Sequence, residues 1–168
     1  VISGDDKWYT VATAILAAAN GAITKAVNRA LITTGQIAWD DCCDGQLAVS
    51  VTRVAPTEAF PTEQVTLVLM GSCSPAYELA EISVQIVRCA PQALNGQQAP
   101  TVTALSDAAK QTLIDANQVR RSVTKALCSL KEDIPQRLDY FIRDQLFLGP
   151  EGACAGSELR LYAGLAVG

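Results

Sequence analysis

Two runs, Gln46-Leu-Ala-Val-Ser-Val-Thr-Arg-Val54 and Leu79-Ala-Glu-Ile-Ser-Val-Gln-Ile-Val-Arg-Cys-Ala90, alternate apolar and polar side chains, and each is closed by Ala-Pro. Residues two apart on a strand share a face, so Leu47, Val49 and Val51 with Ile82, Val84 and Ile86 predict one buried surface. Such a surface is half a core and requires helices to cover it. Pro56 and Pro91 have no N–H for a ladder and restrict the residue before them, so each strand is predicted to end there. If the two strands pair antiparallel, the loops that follow them leave from opposite ends of the sheet.

The helices are legible on either side. Trp8, Val11, Ala12, Ile15, Leu16 and Ala19 recur at three- and four-residue spacing, which predicts a helix from about 6 to about 20, stopped by Asn20-Gly21. Leu105, Ala109, Leu113, Ala116, Val119, Val123, Leu127 and Leu130 mark a second, with Thr103 or Ser106 as its cap and Glu132–Pro135 as its end. Between them, the Ala, Val and Leu of Thr24–Thr34 also fit a continued helix, but the β-branched, turn-terminated end Leu31-Ile-Thr-Thr34-Gly35 favours a strand over that segment, and Val65–Met70 is a further short strand candidate. Leu138–Leu148 and Leu159–Val167 form a closing hairpin with a long turn of small residues over 149–157. The fold class is therefore α+β: one domain over 1–168, with a mixed, mainly antiparallel sheet, two helices packed on one face and a C-terminal β-hairpin.

Composition narrows the function. A chain of 168 residues, 49% hydrophobic, can bury one core. The net charge of −4 argues against gripping the outside of nucleic acid. No run is long and apolar enough to span a bilayer, and Asp5 and Asp6 stand where a secretory leader carries positive charge. There is no histidine, phosphate loop or nucleophile motif, so no catalytic residue and no cofactor is predicted. Carboxylate pairs such as Glu78 and Glu81, or Asp40 and Asp41, are too common to carry chemistry.

Six cysteines without a Cys-x-x-Cys pair predict no metal centre. Cys89 and Cys128 read as buried small hydrophobes; Cys42, Cys43, Cys73 and Cys154 read as loop thiols. Asp40, Asp41 and Asp44 lack the alternating pattern of a calcium loop and read as a solvated turn. Arg120, Arg121 and Lys125 read as a solvated helical face rather than a phosphate patch. The Ala55–Gln64 segment reads as a projecting loop tipped by Phe60, and Pro91–Pro100 as a surface loop.

A resemblance carries the reading further. Ile37-Ala-Trp39-Asp-Asp-Cys42-Cys43-Asp-Gly45-Gln46-Leu47, Ala55-Pro-Thr57 with Phe60-Pro61, Val87-Arg-Cys89-Ala-Pro91 and Leu148-Gly-Pro-Glu-Gly-Ala-Cys154-Ala-Gly-Ser-Glu158 resemble, in this order, head-to-tail connector proteins of long-tailed actinobacteriophages. The last strand departs from that pattern in lacking a tryptophan. The resemblance implies a tail terminator: a homo-oligomeric ring, a hexamer, that caps the tail tube protein and meets a head-side connector while genomic DNA passes through its lumen. It implies assembly in the host cytoplasm and residence in the virion. Glu58, Phe60, Glu63, Gln92, Asn95 and Gln97 are the expected contacts between rings. Because virions leave the cell, a disulfide from Cys42 or Cys43 to Cys73 or Cys154 is expected. Another connector ring, a stopper or adaptor, and a small bacterial binding module remain as alternatives.

Overall fold

One face of the sheet, carrying Ile32, Leu47, Val49, Ile82, Val84, Ile86, Leu138, Leu159 and Leu161, packs in one core with the two helices. The computed structural model describes residues 6–40, 42–62, 77–93, 98–133 and 137–166. Helix α1 spans Lys7–Ala22, followed by β1 (Arg29–Thr34), β2 (Gln46–Thr57), β3 (Tyr77–Cys89), α2 (Val102–Asp133), β4 (Leu138–Glu151) and β5 (Cys154–Ala166). The five strands lie in the order β1-β2-β3-β5-β4. Only the β1–β2 pair is parallel; β2–β3, β3–β5 and β4–β5 are antiparallel. The architecture is α+β, with the mainly antiparallel sheet, helix pair and closing hairpin that the alternation predicts.

The core forms where the periodicities meet. Leu47 and Val49 of β2, Ile82, Val84 and Ile86 of β3, and Leu159, Leu161 and Leu165 of β5 pack against Val11, Ile15 and Ala19 of α1 and Val119, Val123 and Leu127 of α2. Truncating one of the fully buried leucines to alanine costs about 2–5 kcal/mol, because the cavity adds to the lost transfer energy. A buried charge pair, Arg88 Nε to Asp115 Oδ2 at 2.6 Å, ties β3 to α2. Arg88 also donates to the carbonyls of Lys25 and Ala26, which fastens the α1–β1 connection to the same point.

The boundaries differ from the sequence reading in several places, each for a local reason. Strand β2 runs through Pro56 to Thr57, with Pro56 opposite Glu78. A proline at the end of a ladder is tolerated where its missing N–H faces no partner. Helix α1 passes Gly21 and ends at Ala22, with extended Ile23 donating its N–H back to Ala19; the glycine is the next-to-last helical residue and is not in the left-handed conformation of a glycine stop. Thr101, not Thr103 or Ser106, caps α2, its hydroxyl accepting the Ala104 N–H at 3.1 Å. The hairpin turn is short: Glu151 already faces Cys154, so most of 149–157 is strand. The Val65–Met70 strand candidate lies outside the described residues.

Parallel pairing of β1 with β2 forces the intervening chain to travel back along the sheet. It does so over the face opposite the helices. Ser50 Oγ donates to the Gly35 carbonyl at 2.6 Å, Gln46 Nε2 to the Ala38 carbonyl at 2.7 Å, and Trp39 Nε1 to Gln85 Oε1 at 3.0 Å. This link explains why polar Gln46 and Ser50 are buried.

Candidate functional site

The link that crosses the sheet delivers two adjacent cysteines to one end of it. A turn closed by the Gly45 N–H on the Cys42 carbonyl, with Gly45 at φ 84°, returns the chain into β2. Cys42 is bonded to Cys154, with Cα atoms 5.7 Å apart, and Cys43 to Cys89, with Cα atoms 4.0 Å apart. Cys89 and Cys154 are themselves facing residues on β3 and β5. Two neighbours in one loop are thus stapled to two neighbours across a ladder.

The first pairing lies within the expectation from sequence, and the second corrects it. Cys89 is the exposed last residue of β3 and not a core hydrophobe. Alternation along β3 places it on the open face with Gln85 and Val87, a signal the sequence contained. Cys128 is exposed as well, its sulfur 2.9 Å from the Tyr140 hydroxyl. That contact, with burial second, holds the Tyr140 hydroxyl above its ordinary value. Cys73 lies outside the described residues.

Of the expected inter-ring contacts, Gln92 stands at the stapled end. Its side-chain amide reaches the carbonyls of Ala90 at 3.3 Å and Gly152 at 3.4 Å, and the residue is exposed. Glu58 and Phe60 stand at the other end of the sheet, after β2. There Thr57 Oγ1 donates to the Thr62 carbonyl at 2.6 Å and Thr62 Oγ1 to the Ala59 carbonyl at 2.8 Å, drawing the segment into a tight loop. Phe60 is half-buried over Gly164, where a Cβ would come within 2.5 Å of its ring. The aromatic folds back onto β5; it is not an exposed tip. Glu63, Asn95 and Gln97 lie outside the described residues. Antiparallel pairing of β2 with β3 therefore separates the two loop sets by the length of a thirteen-residue strand, about 40 Å.

Between the two ends the open face carries a polar row that sequence reading did not assemble. Glu158 accepts from Ser83 Oγ at 2.5 Å and from Gln85 Nε2 at 3.1 Å. Arg160 grips Asp144 through two nitrogens, at 2.7 and 2.5 Å, and Arg143 lies 3.6 Å from Glu81. The Arg160 hydrogen bonds hold the Asp144 carboxyl below its ordinary value and raise the guanidinium in turn. Asp144 is thus paired with Arg160 and Glu81 with Arg143, whereas Glu158 is held by the neutral Ser83 hydroxyl and Gln85 amide. On the helix side a hollow of about 700 Å³ is lined by Ala22, Gln118, Arg120, Arg121, Ser122, Thr124 and Lys125. It contains no carboxylate or thiol. Among the described residues no three free ligating side chains converge on a point.

No protein-family model matches the chain, and no curated protein is significantly similar to it.

Proposed function

We propose that the chain is a structural protein of a tailed-phage virion, a tail terminator whose copies close into a ring between tail tube and head connector. The observation that supports it most is the disposition of its free surfaces. Among the described residues β1 and β4 are the two edges of the sheet, and they differ in length, direction and side chains. A ring built head to tail needs two such different lateral patches, and β4 adds exposed Phe141 and Phe147 to one of them. Loops at the two ends of the sheet are then placed for axial contact with the tail tube protein and the head-side connector. An acidic chain repels the phosphates of DNA passing through the lumen.

Light scattering and negative-stain imaging of the purified protein, alone and with its tail tube protein, test the reading. Rings of about six copies that cap tube ends and stop their growth are the expected result. Rings that bind only the head-side connector point to a stopper. A monomer indifferent to tubes removes the ring role and favours a module that takes an extended peptide on the open β4 edge.

A further inference from the structure

We propose that when both disulfides are reduced, Cys42, Cys43, Cys89 and Cys154 form a tetrathiolate site for one zinc ion. Spacing along the chain argues against a zinc centre, but the fold removes the objection by gathering all four residues. Their Cα atoms form a closed circuit: 5.7 Å from Cys42 to Cys154, 4.0 Å from Cys43 to Cys89, one peptide unit between Cys42 and Cys43, and one ladder rung between Cys89 and Cys154. In the oxidised form the sulfurs are committed to each other and offer no open ligand set. Reduction frees four soft donors at one point, the ligand type and number of a closed structural zinc site.

The rearrangement is small. Tetrahedral zinc with Zn–S bonds of about 2.3 Å holds its sulfurs about 3.8 Å apart, so each bonded pair must open by roughly 2 Å. Cys89 and Cys154 are fixed by the β3–β5 ladder. Cys42 and Cys43 belong to no strand; they lie in the turn that the Gly45 N–H closes on the Cys42 carbonyl, so their side chains and that turn supply the movement. In the balanced step, two dithiol reductants each deliver two electrons to one disulfide and leave as their own disulfides. The four thiols then release their protons to solvent as the metal binds. Zinc and the disulfides are mutually exclusive, alternative ways of pinning the link to the sheet end.

The test is independent of the ring reading. The full chain is reduced with a phosphine under argon, freed of reductant and titrated with Co(II), a spectroscopic substitute for zinc. The proposal requires one equivalent bound, with thiolate-to-cobalt charge transfer in the near ultraviolet and tetrahedral bands in the red, both displaced by one equivalent of Zn(II). Cys43→Ser and Cys89→Ser must each lose that spectrum, and Cys128→Ser must keep it. A reduced chain that unfolds and is refolded by cobalt also supports the site. Absence of the bands from the reduced wild type, folded or not, overturns it, as does their survival in Cys43→Ser and Cys89→Ser.

Discussion

Arg88 on β3 and Asp115 on α2 face each other as a charge pair with almost no access to water, the Asp115 side chain being 2% exposed and that of Arg88 12%. Arg88 Nε lies 2.6 Å from one carboxylate oxygen, and Gln111 donates to the other at 2.9 Å. Removing one partner leaves the other charge buried, at a cost of about 3–5 kcal/mol. Asp115→Ala is therefore expected to shift the denaturant midpoint strongly. Arg88→Met combined with Asp115→Leu is expected to recover most of the loss, which a double-mutant cycle by urea unfolding measures.

Two glycines predict opposite outcomes for the same substitution. Gly156 on β5 lies under β3 so closely that a Cβ would run into the Ile86 carbonyl and the Val87 Cα, whereas nothing lies within 4 Å of the corresponding position at Gly21. Gly156→Ala is expected to destabilise by about 1–3 kcal/mol through overpacking against backbone that cannot yield. Gly21→Ala, inside α1, is expected to stabilise by about 0.5–1 kcal/mol. Thermal unfolding of the two variants decides both signs.

The Cys42–Cys154 bond joins residues 112 apart in sequence, and the Cys43–Cys89 bond joins residues 46 apart. Closing loops of this length restricts the unfolded chain, so losing either bond is expected to cost about 2–5 kcal/mol. Non-reducing digestion should yield a three-peptide assembly, since Cys42 and Cys43 share a peptide. Cys43→Ser should resolve it into a Cys42–Cys154 pair. Alternative partners in that variant's map would contradict the pairing.

The pH response of the open face follows from Asp144. Its carboxyl is held below the ordinary value of 3.8 by Arg160, so the pair contributes stability above that value and loses it as pH falls through the depressed one. Carbon-13 titration of wild type should show Asp144 ionising below 3.8, and Arg160→Gln should bring it back up. The dependence of stability on acid below pH 3.8 should weaken in the same variant.

The local periods determined much of this protein. Alternation along 46–54 and 79–90 and the three-to-four spacing along both helices specified the elements and the helix-facing side chains, because burial on one face is a short-range pattern that each segment carries alone. Tertiary structure decided the rest. Parallel pairing of β1 with β2 sends the link across the open face, and only that path brings Cys43 to Cys89, Trp39 to Gln85 and Ser50 to the Gly35 carbonyl. The register of β3 on β5 sets Arg160, Glu158, Ser83 and Gln85 in one row and places Gly164 beneath Phe60. None of these meetings has a sequence period, since each depends on which strand lies beside which, and strand order follows from how the chain buries both helices on one side of the sheet.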